Sequence, residues 1–238
     1  TSDVVLQKMD STGRVVWTRA LGSAAPAQGF SLAIDADGTV AVAGAVTGKI
    51  DNVSGFSGDG QDSFISAFDA EGHDLWTHQA GALGDDKVKD IAFDSTGNLL
   101  VLGQTTNSIS GSTIIGGTDV YVQSLDGSGN VVYSKSIGTS NNDTPIAIKT
   151  NGTNAYVAWN SDTEGHISRI DPANGDFTSA DVLTATNGIH KIAAFDLDST
   201  GNAIIAGDNY TGTNTDAVAD KLSSINLATN TINFTNNL

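Results

Sequence analysis

The sequence contains no cysteine, and only three prolines and one methionine stand among its 238 residues. Without cysteine, the chain has neither a disulfide framework nor a thiol nucleophile. So few prolines exclude a proline-rich linker. The longest apolar runs, such as residues 99–102, are far too short to span a bilayer, so we expect no membrane insertion.

Basic residues are also scarce, since 11 Lys and Arg face 27 Asp and Glu and give a formal net charge of −16. This charge repels phosphate backbones, so nucleic acid is not an expected partner. Cations and basic protein surfaces remain compatible with it. The hydrophobic fraction of 39%, with three Trp, four Tyr and eight Phe, is sufficient for a globular core.

One phrase occurs three times, as "DSTGRVVWT" at 10–18, "DAEGHDLWT" at 69–77 and "DGSGNVVYS" at 126–134. Its turn glycines, Gly13, Gly72 and Gly129, are 59 and 57 residues apart. Four residues after each glycine stands an aromatic side chain: Trp17, Trp76 and Tyr133. A repeat of this period is typical of an array, a solenoid or a propeller.

A second phrase lies between the copies of the first. "LAIDADGTVAVAG", "IAFDSTGNLLVLG" and "DLDSTGNAIIAG" end at Gly44, Gly103 and Gly207, and "IAIKTNGTNAYVA" ends at Ala158. In all four copies, the last small residue comes six positions after the turn glycine. We expect this small residue to pass close to a neighbouring backbone.

Each phrase reads as two short strands around a glycine turn, which is the signal of a hairpin. With the second phrase as strands a–b and the first as strands c–d, the chain reads as a c–d half blade at 3–22 and four a–b–c–d units. The units cover 28–82, 87–138, 143–183 and 188–238. Four antiparallel strands every 50 to 60 residues predict propeller blades. We therefore predict one all-β domain over 1–238, a β-propeller of four to five blades with one partial blade, belonging to a longer chain.

The stretch "DSFISAFDAEGHDLWTHQAGALGDDKVKDIAFDSTGNLLVLGQT" resembles the SBBP family of bacterial β-propeller repeats. The resemblance is strongest from residue 3 to 138, and the third and fourth units depart from the pattern. It implies a non-catalytic module of a large secreted or cell-envelope protein, in some cases linked to flagella. We accordingly expect an extracellular or cell-surface location in a bacterium and a protein partner or surface assembly.

The repeated aromatics predict one structural role. Trp17, Trp76, Tyr133 and Phe234 are expected at equivalent buried positions between successive sheets, where an aromatic side chain contributes most through its area. The half blade at 3–22 is expected to pack against the first unit and to present a strand edge that neighbouring protein covers.

The aspartate-rich turns are the most metal-like feature. Asp35 and Asp37 in "DADG" resemble the opening of a calcium loop, but the distant Glu of an EF-hand is missing. Aspartate is equally favoured in turns because its side chain accepts hydrogen bonds from nearby N–H groups. We prefer the turn role and no cofactor, with calcium as the alternative.

For the other candidate polar residues we prefer structural roles over functional ones. The strand-opening acids could ring a channel, but we prefer caps or links between blades; they are Asp3, Asp62, Asp119, Glu164 and Asp216. The histidines have no metal-ligand spacing; they are His73, His78, His166 and His190. Asp85 and Asp86 could act as paired catalytic acids, yet packing within a loop is preferred.

The loops at 45–61 and 104–118 are the predicted binding surface, because recognition usually uses loops on a rigid scaffold. Our first hypothesis is therefore a propeller module for interaction or assembly that is not an enzyme. Two alternatives remain. A propeller enzyme would act on carbohydrate through carboxylates at the channel mouth, and a calcium-dependent adhesin would use the aspartate turns.

Overall fold

In a computed structural model, the described residues are 3–22, 26–48, 50, 61–80, 85–109, 112–162, 164–177, 182–183, 189–208, 221–229 and 231–237. Their regular structure is all β. The strands are β1 (Val4–Met9), β2 (Val15–Leu21), β3 (Ala27–Ile34), β4 (Val40–Thr47), β5 (Gln61–Phe68), β6 (Asp74–Ala80), β7 (Asp86–Phe93), β8 (Leu99–Thr105), β9 (Asp119–Leu125), β10 (Val131–Ile137), β11 (Thr144–Thr150), β12 (Ala155–Asn160), β13 (Gly165–Ile170), β14 (Val182–Leu183), β15 (Lys191–Leu197), β16 (Ala203–Asp208), β17 (Lys221–Asn226) and β18 (Thr231–Asn237).

The strands form one two-stranded sheet and four four-stranded sheets, each in simple sequence order. We call β1–β2 the half blade, and β3–β6, β7–β10, β11–β14 and β15–β18 blades one to four. Within each blade the strands are lettered a to d in chain order, and β1 and β2 correspond to strands c and d. All pairings are antiparallel. The predicted all-β propeller class is confirmed.

The turns follow from local chemistry. In the half blade and blades one and two, each c–d turn closes with a backbone hydrogen bond from the glycine N–H to the aspartate carbonyl three residues earlier, as in Gly72 to Asp69 at 2.9 Å. Gly72 has φ of 82° and Gly129 has φ of 79°, a left-handed conformation that only glycine adopts at no steric cost. These glycines therefore determine where each c–d hairpin reverses.

Successive blades pack face to face through apolar clusters. One cluster joins blades one and two through Ala43, Ile65 and Val101, and another joins blades two and three through Leu102 and Val157. A third cluster joins blades three and four, and a smaller cluster joins the half blade to blade one. Among the described residues, none of these clusters combines the half blade with blade four.

Asp90, on strand β7, links three consecutive a strands. Its Oδ1 accepts a hydrogen bond from Ser31 Oγ at 2.7 Å, and its Oδ2 accepts one from the Ile148 backbone N–H at 3.0 Å. The Lys149 ammonium lies 3.7 Å from the same Oδ2. Sequence analysis did not single out this residue, because its partners are about 60 residues away on either side in the chain.

Strand pairing corrects one repeat alignment. Gly44, Gly103 and Gly207 each pair just before the bulge between strands a and b, but in blade three Trp159 occupies this position instead of Ala158. The reason is the place of the glycine in the turn: one residue separates Gly97 from strand b, whereas two residues separate Gly152 from it. The position before the bulge therefore comes seven residues after Gly152 instead of six.

The described part of the chain contains no helix long and apolar enough to cross a membrane.

Candidate protein-interaction surface

The turn aspartates act as acceptors for their own turns. Oδ1 of Asp94 accepts hydrogen bonds from the N–H groups of Thr96 at 2.8 Å and Asn98 at 3.0 Å, and from Thr96 Oγ1 at 2.7 Å. The same pattern, with donors two and four residues later, recurs at Asp10, Asp35, Asp69, Asp126 and Asp198. Each carboxylate thus satisfies two N–H groups that the hairpin leaves unpaired.

These hydrogen bonds favour the ionised carboxylates. The Thr12 hydroxyl is the largest cause that lowers the pKa of Asp10, and the backbone N–H of Asn130 has this role for the pKa of Asp126. The pKa of Asp69 is lowered mainly by the His73 backbone N–H, and that of Asp198 mainly by the Thr200 hydroxyl. The turns are therefore held together best when these groups carry their charge.

The calcium candidates lie in one such turn. Asp35 Oδ1 already accepts hydrogen bonds from the N–H groups of Asp37 at 3.0 Å and Thr39 at 2.8 Å, and Asp37 itself is exposed. Within the described ranges, no group of three or more His, Asp or Glu side chains is placed to hold a metal ion. The positions of Asp35 and Asp37 are thus those of turn residues.

Two strand-opening acids are placed in pairs between blades. The largest causes that raise the pKa of Asp62 to about 6 are its burial and then the neighbouring charge of Asp86. In the next blade, Asp119 and Asp143 form the corresponding pair, and a methyl group at Gly138 would touch both carboxylates. Burial is also the main reason that the pKa of Asp143 is raised. All four carboxylates are buried, so the pairs belong to the interfaces between blades.

The other predicted acids are placed differently. Asp3 approaches Gly22 at the end of the half blade, and Glu164 is half-buried and receives a hydrogen bond from Ser161 Oγ to its backbone carbonyl at 3.1 Å. Asp216 lies outside the described residues. Asp119 closes the preceding loop, because its Oδ1 accepts the Gly116 N–H at 3.1 Å. Asp85 is exposed and lies 3.6 Å from the Lys87 ammonium, while Asp86 is buried.

The repeated aromatics join each blade to the next. The ring of Trp17 covers Gly72, that of Trp76 covers Gly129 and that of Tyr133 covers Gly175, so that a Cβ at each glycine would lie within 2.7 Å of the ring. The indole N–H groups also bind the same turns: Trp17 donates to Ala70 C=O at 3.2 Å and Trp76 to Gly127 C=O at 3.1 Å.

The burial of these aromatics is less uniform than the sequence predicts. Trp17 is buried, but Trp76 and Tyr133 are only half-buried, although all three lie on outer d strands. Phe234 is on β18 and pairs with Ser224, and its side chain is outside the described set.

The repeat glycines lie against neighbouring chain segments. A Cβ at Gly44 would overlap the Gln28 carbonyl oxygen, and one at Gly207 would overlap the Lys191 carbonyl oxygen. At Gly103 a Cβ would lie 2.5 Å from the Tyr121 ring and 2.6 Å from the Lys87 carbonyl oxygen. In blade three, Trp159 instead stacks on His166 with ring centroids 4.0 Å apart.

The remaining histidines have separate surroundings. His73 is in a turn, where its Nδ1 lies 2.8 Å from Asp69 Oδ2. Burial lowers the pKa of His78. His190 links strands, since its backbone N–H donates to Asp208 C=O at 2.8 Å.

The two predicted binding loops differ in what can be described. In the loop at 45–61, positions 49 and 51–60 lie outside the described residues. The loop at 104–118 is described except for 110 and 111, and it folds onto the protein: Ile109 is buried in the cluster between blades one and two, whereas Ile115 is exposed.

A surface that sequence analysis missed runs along the outer d strands. In the d strands of the half blade and of blades one, two and four, a bulge places one extra residue immediately before the aromatic position. In the half blade and blades one and two that residue is apolar. These residues are Val16, Leu75 and Val132, and all three are about half exposed. Asn233 occupies the position in blade four. We call Val16, Leu75 and Val132 the rim row. The available signal was the apolar residue that precedes Trp17, Trp76 and Tyr133 in every copy of the phrase.

Comparison with known protein families identifies the repeat. Residues 75–109, which include Trp76, strand β7 and Gly103, match the model of the SBBP β-propeller repeat. This segment is therefore similar to one SBBP β-propeller repeat. The resemblance expected from the quoted stretch is thus confirmed for this segment, which runs from strand d of blade one to the b–c loop of blade two.

A curated relative extends this similarity along the chain. The chain is 36% identical to regulatory protein FlaEY of Caulobacter vibrioides over 169 residues. The match includes 66% of this chain but only 18% of the relative, so the chain spans less than a fifth of that protein's length.

Solved structures share the fold at low sequence identity. A protein from Lactobacillus plantarum superimposes with a TM-score of 0.56 at 13% identity, over 97% of this chain and 63% of that one. Quinohemoprotein alcohol dehydrogenase from Comamonas testosteroni gives 0.54 at 10% identity, over 98% and 50%. The hemagglutinin-neuraminidase ectodomain of parainfluenza virus 5 gives 0.51 at 10% identity, over 98% and 64%. These similarities establish the propeller architecture alone.

Proposed function

We propose that this chain is a non-catalytic propeller module that binds protein in a bacterial surface assembly related to the flagellum. The observation that carries the proposal is the rim row, in which three successive outer strands expose an apolar residue at the same bulge. An exposed apolar residue that recurs at one position of successive blades is the feature that we take as the binding surface. The similarity to regulatory protein FlaEY supports the flagellar relation.

The acidic residues support a structural role in preference to the alternative of a propeller enzyme. Raised pKa values at Asp62 and Asp143 are a property that catalytic carboxylates share. However, both groups are buried between blades, where a carbohydrate chain cannot reach them. The carboxylates of the turn aspartates accept hydrogen bonds from backbone N–H groups of their own turns. We therefore assign the turn aspartates to the stability of the scaffold, and Asp62 and Asp143 to the packing between blades.

The test is co-sedimentation of the purified chain with flagellar filaments and hook–basal bodies isolated from a bacterium that carries the gene. We expect the wild-type chain to co-sediment. The triple variant Val16→Asp, Leu75→Asp, Val132→Asp should bind about tenfold more weakly or worse, because three charges would have to be desolvated.

A matched control separates this effect from added charge. Ser11, Ser95 and Ser140 are exposed polar residues away from the rim row, and their triple substitution by Asp adds the same charge. This control should bind like wild type. Failure of the wild-type chain to bind either preparation, together with normal motility of a strain that lacks the gene, would contradict the proposed function.

A further inference from the structure

The edge of β1 differs from that of every equivalent strand. In the complete blades, strand c lies between strands b and d, as β5 lies between β4 and β6. Among the described residues, β1 pairs with β2 alone. Its other edge therefore presents backbone N–H and C=O groups that can pair with an added strand.

The face of β1 that corresponds to the core side of a complete blade is also exposed to solvent. Counting from Asp3 and Asp119, Val5 corresponds to Tyr121, and Met9 corresponds to Leu125. Tyr121 and Leu125 are fully buried in the cluster that joins blade two to blade one. Val5 is 62% exposed and Met9 is 55% exposed, although both occupy positions that are core in a complete blade.

Strand β3 of blade one shows the same contrast. Counting from Gly38 and Gly97, Leu32 corresponds to Ile91, which is buried against the preceding blade. Leu32 is 51% exposed, and Ile34 is exposed as well. A groove of 570 Å³ lies between the solvent-exposed segments of β1 and β3. Its lining residues include Val4, Val5, Leu6, Phe30 and Leu32.

The c–d turn of the half blade gives an independent sign. The equivalent turns are each covered by an aromatic ring from the preceding blade, as Gly72 is by Trp17 and Gly129 by Trp76. At Gly13 a Cβ would meet no described atom within 4 Å. The Gly13 turn is therefore equivalent to the turns at Gly72 and Gly129, but no described aromatic ring covers it.

We propose that this surface, formed by the free edge of β1, the β1–β3 groove and the Gly13 turn, binds another repeat of the SBBP type. The b strand of that repeat's a–b hairpin pairs with β1 and completes the half blade. Its a strand packs on Leu32 and Ile34, and an aromatic from the blade before it covers Gly13.

The choice of occupant comes from interfaces that already exist in the molecule. Strand β7 packs on β3, β11 packs on β7 and β15 packs on β11. The repeat thus makes the contact between the a strands of neighbouring blades three times. The FlaEY relative also contains the matched region within a much longer chain. This inference does not depend on the rim row, and either proposal can fail alone.

The test attaches the missing hairpin. A second copy of residues 86–118, which includes β7, β8 and the native b–c connection, is placed directly before Asp3. Tethering is needed because an isolated hairpin is marginally stable in water. We expect the melting temperature to rise by about 5 °C and hydrogen exchange of the β1 amides to slow about tenfold.

Matched variants show whether the hairpin occupies the groove. Leu32→Asp in the body of the fused chain should remove most of the gain in melting temperature. Ile115→Asp, also made in the body and not in the fused copy, should leave the gain intact, since Ile115 is 53% exposed on a different surface. A fused hairpin whose own Ile91 and Val101 are replaced by Asp should give no gain, because these residues are buried between blades.

Two outcomes would overturn the proposal. One is a fusion protein with an unchanged melting temperature and unprotected β1 amides. The other is light scattering that finds the unfused chain to be a dimer with β1 already protected, in which case the surface is an interface between two copies.

Discussion

At the scale of single residues, the aspartate of each turn has the clearest role. Its short side chain reaches two backbone N–H groups of its own turn, a geometry that requires no neighbour beyond four residues. For this reason the turns could be predicted from sequence, including the preference of Asp35 for a turn. The same local logic does not extend to Asp62, whose pKa is raised by burial between blades and then by the charge of Asp86 from the next blade.

The turn role predicts a specific loss of stability at Asp94, which is nearly buried. Asp94→Ala removes one acceptor shared by two N–H groups and a hydroxyl, and should lower the free energy of unfolding by about 1–2 kcal/mol. Asp94→Asn keeps the Oδ1 acceptor and should cost less than half as much. Urea denaturation of the three proteins measures this, and equal losses for both variants would contradict the turn role.

At the scale of strands and sheets, the space left by the neighbouring strand and ring decides which residue of strand b can pair at the bulge with strand a. Gly103 lies against the Tyr121 ring and the Lys87 carbonyl, so that only glycine fits without moving either. Spacing from the turn glycine predicted these positions for Gly44, Gly103 and Gly207. It predicted the wrong residue in blade three, where Gly152 lies one residue further from strand b and Trp159 takes the position.

Substitution at Gly103 therefore has a sharp expected result. Gly103→Ala should destabilise the protein by about 3 kcal/mol, in the range for overpacking a core. Gly127→Ala is the matched control, since a Cβ at Gly127 meets no described atom within 4 Å, and it should change stability by less than about 0.5 kcal/mol. Thermal denaturation followed by circular dichroism compares the two, and a loss as large at Gly127 would count against the steric explanation.

At the scale of the whole molecule, two sets of carboxylates respond to pH in opposite directions. The turn aspartates have lowered pKa values in the folded state, so their stabilisation is present above the unfolded pKa of about 4 and is lost as pH falls. Asp62 has a raised folded pKa of about 6, so the stability linked to its protonated form is present at low pH and is lost as pH rises through 6.

The two trends predict maximal stability at about pH 4, with a decline between about pH 4 and 6. Replacing Asp62 with Asn should raise the free energy of unfolding at pH 8 by about 2 kcal/mol relative to wild type and flatten the decline above pH 5. Asp37→Asn removes an exposed charge and serves as the control for net charge; it should leave the decline in place. Urea titrations at pH 5 and pH 8 provide the measurement, and parallel pH profiles for wild type and Asp62→Asn would refute the role of Asp62.

The sequence alone determined most of the hairpins, their turns and the propeller class, because glycine with aspartate or asparagine specifies these reversals through contacts within five residues and the period repeats them. Only the tertiary structure decided which equivalent residues are buried. Val5 and Tyr121 occupy the same position of the repeat, yet Val5 is exposed and Tyr121 is buried because a preceding blade covers one and not the other. The rim row, the Asp90 links and the acid pairs likewise depend on how separate blades meet, and that packing joins residues that local sequence patterns do not connect.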